Sequence, residues 1–190
     1  MAFNVTEFRS NMIGDGARPN LFNVTLVLPP FVSNSSDSSK QISFMAKAAQ
    51  LPGSSVGTVP VYYFGRELKF AGNRTFPDWT LQIINDENFT IRNSLENWLN
   101  SINSHEGNLR SGNSLAPVNY SIDATVTQYG KTGNTLKEYK FVGMFPIDVA
   151  PIDLDWGSND TIEEYSVTFA YQYWTACLLY TSPSPRDVEE

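Results

Sequence analysis

Side chains able to do chemistry are few in this sequence. His105 is the one histidine and Cys177 the one cysteine among 190 residues. A Ser-His-Asp relay would have to run through His105, but Ser104-His105-Glu106-Gly107 reads as the frayed end of a helix. A lone cysteine gives neither a disulfide framework nor a Cys-based zinc site. Carboxylates gather at Asp148, Asp153, Asp155, Asp160, Glu163 and Glu164. A pair near Asp153 and Asp155 is the raw material of a glycosidase or a calcium loop. Yet the segment lacks EF-hand spacing and its bidentate Glu, and Ile152, Leu154 and Trp156 alternate with it as a short strand with Asp on the wet face. Gly130-Lys131-Thr132-Gly133 has neither Walker spacing nor a following helix, so it reads as a hairpin turn. No catalytic constellation forms, and no metal or cofactor is expected.

The charge balance excludes another class. Thirteen Lys and Arg against twenty Asp and Glu leave a net charge of −7, with no basic cluster. Nucleic-acid binding draws most of its free energy from neutralised phosphates, so sequence-specific binding of DNA or RNA is not expected. The first residues have no basic and apolar signal regions, and no apolar run reaches the ~20 residues of a membrane span. The chain therefore reads as a soluble protein made in a cytoplasm. Seven Asn-X-Ser/Thr sequons then reflect an Asn- and Thr-rich composition rather than glycosylation.

The elements that would position any site are mostly strands. Residues 1–19 form an arm with scattered apolar residues. Residues 20–28 alternate as a half-buried strand. Ser33–Ser39 reads as a polar hairpin tip, and 41–48 as a returning strand with Ile42, Phe44 and Ala46 on one face. Short strands follow at 56–64 and 67–71, and another at 76–84 carries Trp79, Leu81 and Ile83 on one face. Ile91, Leu95, Trp98, Leu99 and Ile102 make a single stripe of period 3.6, a helix over about 86–104 started by Asn85 or Asp86. Three long strands span 118–129, 135–145 and 161–174. The fold class is mainly β, an antiparallel sandwich or barrel with one flanking helix.

Several strings resemble one family in order along residues 15–174. They are Ala17-Arg18-Pro19-Asn20-Leu21-Phe22, Leu51-Pro52-Gly53, Ala71-Gly72-Asn73-Arg74-Thr75-Phe76-Pro77-Asp78-Trp79-Thr80, Asn85-Asp86, Leu154-Asp155-Trp156-Gly157-Ser158-Asn159 and Tyr173-Trp174. Together they resemble the tail tube proteins of T-even-type contractile bacteriophages, whose fold type VI secretion and pyocin tubes share. The resemblance implies a β-barrel-like subunit that closes in sixes into rings. It further implies that rings stack into a tube through which phage DNA leaves the virion, with sheath, baseplate and tape-measure proteins as partners. The virion tail is the implied location.

On that reading the polar strand faces, Asp123, Thr125, Thr127, Glu164, Ser166, Thr168 and Gln172, are candidates for the lumen, because a neutral-to-acidic wall lets DNA slide. Phe3, Phe8 and Ile13 of the arm, with Ser36 and Asp37 of the polar tip, are candidates for contacts between subunits or rings. The tube domain is expected over 20–174. Residues 175–190 fit nothing before them: Ser182-Pro183-Ser184-Pro185 can neither continue a ladder nor start a packed helix, and the string looks like adapter read-through. The other function class is a carbohydrate-binding β-sandwich module, suggested by Tyr and Trp richness; a type VI-like tube protein shares the leading fold.

Overall fold

The computed structural model describes residues 4–12 and 16–177. Among these, nine strands carry the fold: β1 (Phe22–Leu26), β2 (Ala46–Ala49), β3 (Ser55–Tyr63), β4 (Arg66–Thr75), β5 (Trp79–Ile84), β6 (Ile122–Tyr129), β7 (Thr135–Val149), β8 (Glu164–Ala170) and β9 (Tyr173–Cys177). Four helices accompany them: α1 (Val5–Asn11), α2 (Ser35–Met45), α3 (Thr90–Ile102) and the single turn α4 (Pro117–Tyr120).

The long strand β7 organises the sheet. Its first part pairs with β6 on one side and β9 on the other, and its last part pairs with β8. The antiparallel order is β1-β6-β7-β8-β5-β2, with β9 beside β7, and β1 and β2 stand at the two ends with no strand on their outer sides among the described residues. The sheet is thus mainly antiparallel β, as expected, but open rather than closed into a barrel. Gly143 lies where β7 passes from one half to the other. Its φ of +65° suits glycine alone, and a Cβ there would stand 3.0 Å from Gln172 Cγ. The register slips at the same place, Ala124 facing Phe141 but Ile122 facing Met144. One extra residue reverses the faces, so Phe141 and Met144 both point into the core. Strict alternation along the strand would set Met144 on the face opposite to Phe141.

Both halves of the sheet turn their apolar faces onto one core. Val24, Leu26, Ala124, Val126 and Phe141 come from one half, Leu81, Ile83, Tyr165, Val167 and Phe169 from the other. Trp79 joins them, with ring centroids 5.0 Å from Phe141 and 5.9 Å from Phe169. The predicted stripe of α3 closes the open side through Ile91, Leu95 and Trp98. Removing an aromatic of this kind costs about 3–5 kcal/mol. Asp86 holds the start of α3, accepting from the Thr90 N–H at 3.0 Å and from the Thr90 hydroxyl at 2.8 Å.

Three segments fold otherwise than their local pattern predicts. Residues 35–45 are helix α2, not a polar tip and strand: the Ser39 and Ser43 hydroxyls donate back to carbonyls of the helix, and Ser38 and Ser39 also find tertiary partners. The Leu28 N–H donates to Ser39 Oγ at 2.9 Å, and buried Ser38 and Ser94 share a hydrogen bond of 2.7 Å between α2 and α3. Residues 117–120 form α4, since Pro117 at its first position presets the helical φ. Residues 150–163 form a loop rather than a short strand: Asp155 Oδ1 accepts from the Gly157 N–H at 3.0 Å and turns the chain.

The expected strand over 161–174 is two strands. At the break, the Gln172 N–H donates to the Val142 carbonyl, and β9 then continues through Thr175, Ala176 and Cys177 opposite Lys140, Tyr139 and Glu138. Residues 178–190 lie outside the described residues. Truncation after Cys177 is expected to leave the melting temperature unchanged. Truncation after Gln172, which removes β9 and Trp174, is expected to lower it by several degrees in a thermal melt.

Candidate assembly surfaces

The outer faces of the two half-sheets are polar for the same reason that their inner faces are apolar: the pleat alternates. On one half, Asp123, Thr125 and Thr127 of β6 lie beside Asn23 and Thr25 of β1 and beside Glu138 and Lys140 of β7. On the other half, Glu164, Ser166 and Thr168 of β8 lie beside Thr80 and Gln82 of β5. The sequence groups these residues as one wall. The fold separates them into two faces turned away from each other across the shared core, with exposed Gln172 at the bend between them.

Asp123 is the most perturbed carboxylate of the first face. Its hydrogen bond from Lys140, with Nζ 2.9 Å away, holds its pKa below the ordinary value of 3.8 against the opposing effect of burial, and the Gly143 N–H adds to the lowering. Lys140 is raised in turn, first by that hydrogen bond and then by the charge of Asp123. His105 sits exposed on the loop after α3.

The β3–β4 pair is a separate ribbon, hydrogen-bonded to nothing else in the sheet. Every residue of it except Gly72 is exposed. Its register puts Val59 opposite Phe70, Val61 opposite Leu68 and Tyr63 opposite Arg66, so one face is an apolar stripe. The other face carries Thr58, Pro60 and Tyr62 against Ala71, Lys69 and Glu67. Several of the resemblance strings meet at its base. Trp79 Nε1 donates to the Gln50 carbonyl at 2.7 Å, and Trp174 Nε1 donates to the Gly53 carbonyl at 2.9 Å. The Ser55 and Thr75 hydroxyls are 2.7 Å apart across the stem. Gly72 faces the bulge opposite Gly57, where a Cβ would stand 3.0 Å from the Gly57 carbonyl oxygen. Phe76 packs near Tyr171, while Arg74 and Asp78 are exposed.

Other candidate residues are dispersed. Arg18, Pro19 and Asn20 form the turn into β1, where Phe22 packs against the core and the Leu21 carbonyl accepts from Tyr129. Phe8 lies exposed on α1, a helix with no buried residue that also exposes Val5 and is followed by exposed Met12. Phe3 and Ile13 lie outside the described residues. Ser36 and Asp37 fall in the first turn of α2, on the surface. Asp155 and Trp156 stand on the 150–163 loop with Trp156 fully exposed, flanked by exposed Leu154 and Ile162. Sequence reading took the ribbon for two ordinary short strands. The signal that would have singled it out is an apolar alternation on both sides of Gly65 with no further strand to cover it.

Open sheet edges, a bare amphipathic ribbon and exposed aromatics give this molecule the surface of an assembly subunit. The model of the phage tail tube protein family matches residues 17–177. Tail tube protein gp19 of Enterobacteria phage T4 is 37% identical over 162 residues, covering 85% of this chain and 92% of the relative. The tail tube protein of Serratia phage KSP90 is 29% identical over 169 residues, covering 88% and 93%. The chain belongs to the phage tail tube protein family, as a tube component of contractile tails. Its fold is like that of a chain in the sheath/tube terminator of an extracellular contractile injection system, with a TM-score of 0.62 at 17% identity over 87% of this chain and 99% of the other. The tube-terminating cap of the anti-feeding prophage gives 0.61 at 17% identity, over 86% and 91%. The carbohydrate-binding reading is not favoured.

Asp123 is expected to titrate below the ordinary carboxylate value by NMR. Lys140→Met is expected to return it upward, as is high salt. By sign, the pair supports the fold at neutral pH, and that support fades as pH falls through the depressed Asp123 pKa or rises past that of Lys140.

Proposed function

We propose that six copies of this chain close into a ring and that rings stack into the inner tail tube, the passage for DNA ejection. The observation that carries this reading is the half-sheet β1-β6-β7-β9. It has a polar outer face and two edge strands, β1 and β9, that pair with nothing on their outer sides among the described residues. Edges of this kind template pairing with another chain, and a head-to-tail contact that closes by rotation uses both of them. Ring closure through β1 and β9 then makes a continuous wall, with Asn23, Thr25, Asp123, Thr125 and Thr127 facing the bore. The row of Glu164, Ser166 and Thr168 faces outward. Sheath, baseplate and tape-measure proteins are the partners of such a tube, and the chain does no catalysis. Assembly takes place in the cytoplasm of the host.

The wall must not grip what passes through it. Every Lys or Arg on the bore would recur in each subunit and each ring, facing one phosphate charge per ~1.7 Å of duplex axis. A face of Thr and Asn with paired charges leaves the DNA free to move.

Electron microscopy of the concentrated protein is expected to reveal rings or tubes with a central hole; a strict monomer at high concentration would overturn the reading. Asp123→Lys with Thr125→Lys is expected to leave assembly intact and to make the tubes retain DNA at low salt, with release as salt rises. Ser166→Lys with Thr168→Lys is expected not to trap DNA inside. The reverse pattern would move the bore to the β8 face.

A further inference from the structure

We infer that the corner at Gly143 and Tyr171 fixes how many copies close the ring. This rests on the tube reading and assigns the residues that select the size of the ring.

Two strands bend together at this corner. Val142 faces Tyr173 and Phe145 faces Ala170, so β7 keeps one register against β8 and β9 through the bend. Between those pairs, Gly143 and Met144 lie across from Tyr171 and Gln172, the two residues that separate β8 from β9. The pairing has not slipped there. It is folded along a line that crosses both strands.

Each strand is held at the fold line. Gly143, with φ at +65°, takes the left-handed conformation that lets β7 turn. The Gln172 N–H donates to the Val142 carbonyl at 3.0 Å and fastens the second strand to the first. A little further on, β7 slips against β8 between Pro146 and Asp148. Bulges and glycine kinks are the devices that curve a sheet, and β7 gathers them in one short stretch.

Tyr171 fills the inside of the corner. Its ring meets Phe141 of the wall at 4.9 Å, with the planes 81° apart, and Phe76, just before β5, at 6.2 Å. It is half-buried and packs against the common core. A rigid ring in a close-packed interior holds the two half-sheets at one angle, because such packing yields little. The wall is therefore braced from behind by the β8–β5–β2 half-sheet.

A closed ring needs such a brace. Each copy must turn the wall by one sixth of a circle, and a fixed rotation per copy is what closes a head-to-tail contact. About 9° separates one sixth of a turn from one seventh, whereas neighbouring strands in sheets twist by anything from about 10° to about 35°. Twist alone leaves the count undetermined. The corner removes that freedom at β7 and β9, the strands next to the contact between copies.

Ring size is read on full-length chains by native mass spectrometry and by the rotational symmetry of end-on electron micrographs. Wild type is expected to give six copies. Gly143→Val with Gln172→Ala makes room for a side chain but forbids the turn, since a β-branched residue avoids positive φ. It is expected to give other counts, mixed counts or open arcs. Tyr171→Leu shrinks the wedge without touching the backbone and is expected to shift the count likewise; it carries the test where the glycine variant shows no cooperative melt. Two controls are expected to keep six. Gly143→Asn with Gln172→Ala retains the left-handed turn, which Asn tolerates, and Leu95→Ala lowers the melting temperature from α3, away from the corner. Closed rings of six from the folded corner variants would overturn the inference, as would a changed count in either control. Wild type that closes no ring would instead overturn the tube reading itself.

Discussion

The bend of β7 at Gly143 is the constraint on which the rest of this molecule depends. Fifteen residues of one strand serve two half-sheets, and the change of partner needs a backbone that turns without a side chain in the way. With φ at +65° and Gln172 pressed close, no other residue fits there without strain. The bulge beside it returns Met144 to the core, so the apolar face stays continuous across the bend. Trp79 can then touch Phe141 from one half and Phe169 from the other. A straight β7 would leave each half-sheet with an apolar face and nothing to lay it against.

Closing the core in this way fixes what is left outside. Two half-sheets folded back to back show two polar faces, and the chain ends each half on a strand with a free outer edge. The connection between β2 and β5 has nowhere to go inside, so it extends as the β3–β4 ribbon. Hydrogen bonds from Trp79 and Trp174 hold its base while its faces stay bare. The same tryptophans thus serve the core and aim the ribbon. Sequence strings far apart in the chain, Leu51-Pro52-Gly53, Gly72–Trp79 and Tyr173-Trp174, come together because one structural joint needs all of them.

That joint marks the limit of what the sequence disclosed. The stripe of α3 and the alternation of β5, β6 and β8 were legible, since a single buried face imposes a single period. Residues 35–45 were not, because serine reads as a breaker unless its hydroxyl partners are known, and those partners lie beside β1 and on α3. The ribbon was legible as strands but not as a projection. Val59, Val61, Leu68 and Phe70 alternate just as core strands do, and alternation reports that a face will be covered without saying by which molecule. The lumen candidates failed to form one group for a related reason: polarity marks the outside of a sheet, while only the bend at Gly143 tells which outside.

The Asp123–Lys140 pair ties the electrostatics of the chain to this geometry. Both side chains are about half exposed, and exposed pairs of this kind add little to stability. Its effect is local charge. Lys140 is the one base among the residues of β1, β6 and β7 on that outer face, and Asp123 stands 2.9 Å away with its pKa held down, so the pair stays ionised and cancels across the neutral range. Arg66, Lys69 and Arg74, which make no ion pair among the described residues, are carried instead on the ribbon, away from the sheet. With its one lysine paired and three bases set apart on a projection, the outer face of this half-sheet presents hydroxyls, amides and carboxylates rather than bare positive charge.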